Sequence, residues 1–537
     1  MRTMLFTGLA VLGLCVGIAS AHDHSAGQGP PPAKLGDVAF EISCRAEVRA
    51  SFNRAVALVH SFWHDEAERE FTRIADADPD CAMAWWGVAM THAHQIVATP
   101  TEADRVAGHD ALAKADAGSS KSPREAAYIR ALHLLYAGIG AEQATYFKQA
   151  ARYAQAMGEI AAAYPADVEA TAFYGLALLA ATAPDDVSLE GPKKAVAVLD
   201  PAFRAHPDHP GFAHYLIHAC DNPHMAQQGL AAARRYALIA PAAPHALHMP
   251  GHIFARLGLW PEDIRSNVAS KEAAERERGH AGAESLLHAM EFLEYAYLQV
   301  GDSERAQAIA TSARDIRASE VDPRYPNYYA TVQARFTSLL AIETQDWAGA
   351  LRLEPRADTP WSSQQVTFLA HAIAAGHLRD AQAGKRSVEA IDALVAKLPQ
   401  SPAEDRMMTV SEIHAWAAFA QGDVHGALAL LEPIAQRQAK IGKGEVELPA
   451  REMLAQMLSL DGQAARAQKQ FEDSLVVDPN RFNGLLGAGV AAEKQGRREE
   501  AAAYYRILIA NCSDANGASA KLLEHARSFV KAQSTSH

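Results

Sequence analysis

From Glu47 onward the chain alternates alanine-rich amphipathic stretches with short breaks. Apolar residues recur at the three- and four-residue spacing of a helix face, and no run shows the period-two alternation of a half-buried strand. The pattern predicts an all-α protein of short helices joined by tight turns.

The helices repeat. Leu448 to Asn480 reads LPAREMLAQMLSLDGQAARAQKQFEDSLVVDPN. Small Ala455 and Ala467 stand where two helices must approach closely, Gly462 makes the turn, Phe471 fills the core and Pro479 ends the second helix. The next unit repeats this with Gly489, Gly496, Ala501 and Tyr505. Near the other end, one unit closes with Phe71 and Asp78-Pro79, and its successor opens Ala84-Trp85-Trp86-Gly87. Looser units carry Gly301/Ala306, Asp346/Ala350, Gly376/Ala381 and Gly422/Ala427.

This pattern resembles the tetratricopeptide repeat (TPR) over roughly residues 45–512. The resemblance implies a helix–turn–helix superhelical solenoid whose concave groove is lined by the first helix of each repeat. Such arrays mostly bind other molecules, so a peptide or protein partner in the groove is one expectation. The segments HSFWHDEA, DPDCAMAWWGVAM and HALHMPGHIFARLG also look like secreted bacterial TPR proteins with histidine-rich repeats. That second resemblance transfers no activity.

The organisation read from the chain is a signal peptide (1–21), a flexible tail (22–44), an N-terminal TPR pair (45–120), central histidine-rich repeats (121–320), irregular repeats (321–447), and C-terminal repeats with a capping helix (448–537). The signal reading rests on Arg2, the apolar run from Met4 to Ile18 and the end Ala19-Ser20-Ala21. It predicts a periplasmic or secreted protein, soluble after cleavage near Ala21, with no membrane span. The net charge of −13 argues against nucleic acid and against anionic membranes.

The chemistry concentrates in histidine. His214 and His218 form one His-x-x-x-His pair, and His248 and His252 repeat it 34 residues later. Residues four apart share a helix face, and 34 residues is the TPR period. Repeats starting near Pro210, Pro244 and Leu287 put His214 and His218 at the fifth and ninth positions. They put His245, His248 and His252 at the second, fifth and ninth, and His288 and Glu291 at the second and fifth. In the TPR family these positions face the groove. Imidazoles on such a grid can converge on one ion, or on two neighbouring ions, of copper or zinc. Glu291 is a candidate carboxylate ligand, partner behind the ligands or catalytic general base, and Asp221 is a candidate partner behind the ligands too. Met225, Met249 and Met290 lie near the cluster, as core residues or as thioethers for Cu(I). The bland alternative is a polar groove whose histidines only hydrogen-bond a peptide.

A second cluster holds His60 and His94, again 34 apart, with His64 and His92 nearby. On a helix His92 and His94 point apart, so only one would join a metal site. His206, His209 and His224 fall in turns and read as solvated. Cleavage after Ala21 would expose His22-Asp23-His24, a pattern that can wrap Cu(II) or Ni(II). A solvated tail is the alternative there. Beyond Cys15 in the signal, Cys44 and Cys81 bracket the first repeat and could be stapled. Cys220 reads as a buried thiol or a ligand, and Cys512 stands apart. His-Glu-x-x-His, a phosphate loop, a Gly-x-Ser-x-Gly elbow and Cys-x-x-Cys are absent. Three functions remain: an exported metal-binding protein, a metal-dependent enzyme in the same groove, or an envelope scaffold without metal.

Overall fold

The computed structural model describes residues 34–534, apart from short segments at 97–98, 138–142, 184–185, 279–282, 323–324, 326, 399–403 and 445. The signal stretch and His22-Asp23-His24 lie outside the described residues. Twelve helix pairs run in sequence from Arg49–His60 with His64–Ala77 to Phe482–Lys494 with Arg498–Asn511, and Gly517–Ser534 caps the array. Among the described residues no strand forms, only two isolated bridges. The fold is an all-α, TPR-like solenoid. No described helix is long and apolar enough to cross a membrane.

Apolar faces of neighbouring pairs merge into a series of cores, the first running from Leu35 to Phe254. Phe52, Phe71, Trp86, Phe173, Tyr215 and Tyr236 are all buried along that first core. Packing begins before the tail boundary drawn at residue 44: Leu35, Phe40, Ile42 and Cys44 are buried. Lys34 donates to the carbonyl of Leu238, and the amide of Asp37 to that of Asp208, so this segment straps the first repeat to the fifth. A Cys44–Cys81 disulfide fastens its end.

The array also folds back on itself. Trp260 Nε1 donates to Asn480 O at 2.8 Å, and Asn516 Nδ2 to Asp302 at 2.8 Å. Buried Arg481 pairs with Glu452 within the C-terminal repeats at 2.8 Å and reaches out of them to Glu343 at 2.7 Å. A Cβ on Gly258, at φ +62°, would collide with the carbonyl of Pro479, so only glycine allows this closure. These contacts bring residues near 480 and 516 against residues 256–302.

Candidate metal centre

Three successive first helices supply the centre. Pro210–Cys220 and Glu284–Gln299 are continuous, but the middle one is split into Pro244–His248 and Pro250–Arg256. Proline at 250 cannot donate to the helical ladder, and the chain restarts there. Gly251 faces Asn267 Nδ2 and Asp263 Oδ1, each 2.7 Å from where a Cβ would stand, so the restarted helix lies directly on the next one.

The structure brings all six central histidines together, in two sets. His214, His218 and His245 form one; His248, His252 and His288 form the other, with ligand atoms in each set within 4.8 Å of one another. His214 Nε2 lies 3.0 Å from Nε2 of both His245 and His218. His248 Nε2 lies 3.0 Å from His252 Nε2. Two nitrogens bound at 2.0–2.1 Å to one tetrahedral ion would sit about 3.3 Å apart, so these spacings suit a shared ion.

The far ring nitrogens are anchored. His214 Nδ1 bonds the carbonyl of His60 at 2.6 Å, and His252 Nδ1 the carboxylate of Asp221 at 2.8 Å. His248 Nδ1 bonds Asn267 Oδ1 at 2.7 Å, and that amide is oriented because its Nδ2 donates to Asp263. All three partners only accept, so each Nδ1 carries the proton. In the neutral rings the Nε2 atoms of His248 and His252 are then both lone pairs, pointed at each other. Only a cation between them, a proton or a metal ion, makes that contact attractive. Burial, with neighbouring imidazoles adding to it, pushes the basicity of His214, His245 and His248 well below the ordinary histidine range. A proton on the His248 ring is therefore disfavoured.

Glu291 is buried behind the second set. It pairs with Arg335 Nη1 at 2.5 Å, accepts from Tyr328 at 3.2 Å, and lies 3.6 Å from His288 Nδ1. Burial alone would raise its pKa, but Arg335 and His288 hold it down as a carboxylate. It sits where it can orient His288, a placement different from that of a base facing substrate. Asp221 bridges His252 and Arg256, whose Nη1 reaches the carbonyl of Lys443 at 2.6 Å.

The N-terminal histidines do not form one set. His60 Nδ1 lies 2.8 Å from the Tyr215 hydroxyl and its Nε2 2.6 Å from Glu169. His209 caps its helix through Nδ1, accepting from Phe212 N, and gives Nε2–H to Glu169 at 3.0 Å. It is buried rather than solvated, because a cap residue faces into the turn of the helix it starts. Burial and the two imidazole donors pull Glu169 in opposite directions, and the donors win, keeping it ionised. Every group in this triad is satisfied without an ion. His64 and His94 rings stand 5.2 Å apart. His92 and His94 both reach Asp104, at 3.5 and 3.3 Å, although helical geometry would point them apart. The helix ends at Thr91 and His94 takes φ +41°, which turns its ring back. With Glu68 at 3.4 Å from His92, this is an imidazole–carboxylate cluster. His206 is exposed, and His224 bonds the Ala439 carbonyl at 2.8 Å.

Cys220 is buried in the core, its thiol pushed up to about 12 chiefly by burial. Met225, Met249 and Met290 are likewise core residues. Sequence reasoning missed two aromatic partners. The Phe62 ring lies 4.3 Å from His214, 5.7 Å from His218 and 5.5 Å from His245. Phe292 lies 4.7 Å from His248, 4.8 Å from His252 and 5.3 Å from His288. The position of Phe292, four residues after His288, was the available signal for the second.

No protein-family model matches the chain, and no curated protein does. Among solved structures it is similar to a human IFIT1 dimer with PPP-AAAA, at 11% identity over 89% of this chain and 97% of that one, TM-score 0.34. A monomeric IFIT1 mutant with m7Gppp-AAAA gives 12% identity, 80% and 90% coverage, and TM-score 0.37. Yeast Tom70 gives 10% identity, 84% and 89% coverage, and TM-score 0.33.

Proposed function

We propose that this protein holds two transition-metal ions, copper or zinc, side by side in its groove, each bound by three imidazole Nε2 atoms. His214, His218 and His245 take one ion; His248, His252 and His288 take the other. The observation that carries this reading is the convergence of six imidazoles into two sets of three, with the Nε2 atoms of His248 and His252 3.0 Å apart and both Nδ1 atoms directed at acceptors. A groove that merely hydrogen-bonds a peptide would leave its imidazoles accessible, whereas His214 and His248 are buried. Three ligands per ion leave coordination positions for water or substrate, which favours a reactive centre over a closed structural one.

The apolar start ending at Ala21, and the Cys44–Cys81 disulfide, support export to an oxidising compartment. The test is elemental analysis of untagged protein. Two equivalents of metal, lost in a His214→Ala/His248→Ala double variant that keeps its helical circular dichroism, support the centre. Protein that stays metal-free after reconstitution with either ion overturns it.

A further inference from the structure

We propose that the two histidine sets work as one dicopper centre that binds dioxygen between the ions; this rests on the two-ion reading above. The ligand set comes first. All six ligand atoms are imidazole nitrogens, and no carboxylate oxygen belongs to either set. Harder ions such as magnesium, calcium and manganese prefer carboxylate and carbonyl oxygen, whereas imidazole suits copper in both of its common oxidation states. The carboxylates of Asp221 and Glu291 stand behind His252 and His288, on the Nδ1 side of each ring.

Spacing comes second. Across the sets, His245 and His248 rings are 6.2 Å apart and His218 and His252 rings 6.3 Å. Within one set His218 and His245 are also 6.2 Å apart. Rings of different sets thus stand as close as rings within one set, so ions held in the two sets would lie near enough for one small molecule to bridge them.

The walls come third. Phe62 covers the first set and Phe292 the second. Phe62 holds its place at φ +53°, a left-handed conformation costly for a bulky residue. Apolar rings beside each set lower the local dielectric around the ligand nitrogens.

The chemistry balances within the centre. Each Cu(I) gives one electron, dioxygen gains two and becomes a bridging peroxide dianion, and two Cu(II) remain. The O–O bond stays intact, no proton is consumed, and release of dioxygen reverses the step.

The experiment loads the full chain anaerobically with Cu(I), measures bound copper, then admits dioxygen. Expected are two copper ions per chain, an intense near-ultraviolet peroxide-to-copper charge-transfer band, and silence in electron paramagnetic resonance because a bridged Cu(II) pair couples. His288→Ala, at the half-exposed edge of the second set, should keep one copper and make it visible in the resonance spectrum after oxidation. Two bound coppers giving two isolated Cu(II) signals without the band would overturn the dioxygen proposal and leave the metal centre standing. No bound copper would overturn both.

Discussion

His248 and His252 sit one turn apart on either side of a broken helix, and their Nε2 atoms point at each other across 3.0 Å. Asn267 fixes the proton of one ring and Asp221 that of the other. Buried Asn267 and half-buried Asp221 thus direct both Nδ1 atoms outward and leave the two Nε2 atoms facing each other.

Removing that orientation should weaken metal binding without removing a ligand. Asn267→Leu is expected to lower affinity about 10–100-fold, the range typical of groups that orient metal-bound histidines. Competition against a chromophoric chelator measures it; an unchanged affinity would show that Asn267 does not set the His248 tautomer.

Glu169 should behave oppositely. It receives two imidazole N–H groups in a dry site, from His60 and His209. Glu169→Gln forces an amide N–H2 against one of those donors, an unmet buried bond costing about 1–3 kcal/mol. A lower melting temperature with full metal content is expected. Metal loss at unchanged stability would mark this triad as a ligand set instead.

Acid should destabilise the metal-free protein partly through His377. Its ring stacks on Trp347 at 3.8 Å and Trp416 at 5.3 Å, and burial pushes its pKa down to about 4. The unfolded chain protonates this residue first, so its contribution is complete above the unfolded value of about 6.5 and is lost as pH falls toward 4. The full loss is about 3 kcal/mol at most. His377→Gln should flatten the dependence of the urea midpoint on pH across that window, and a slope identical to the parent's would refute the assignment.

The Cys44–Cys81 disulfide closes a loop across a sequence separation of 37. Replacing both cysteines by serine should cost about 2–5 kcal/mol. Thermal melts with and without reductant should converge in that variant and differ in the parent.

Much of this was readable from the chain. Helical periodicity and the turn glycines predict the paired helices, and the 34-residue offset puts His214 and His248 in matching rows. The partition into two sets was not readable, because it depends on which neighbouring helix each imidazole meets: His245 meets His214, whereas His248 meets His252 and His288. Equal spacing misled for His60 and His94: the first lies inside a helix pair that packs on Tyr215, while the second lies past a helix end with left-handed backbone. Periodicity describes residues within helices and is silent about residues that follow their last turn.

The back-folding of the array also imposes an order of events on biosynthesis. Asp221, which holds the His252 ring, is itself gripped by Arg256, and Arg256 reaches the backbone of Lys443, far beyond the last ligand in the chain. A ribosome-bound chain that has delivered all six histidines still lacks this brace. The centre matures late, so metal is expected to load onto the finished molecule rather than onto the emerging one.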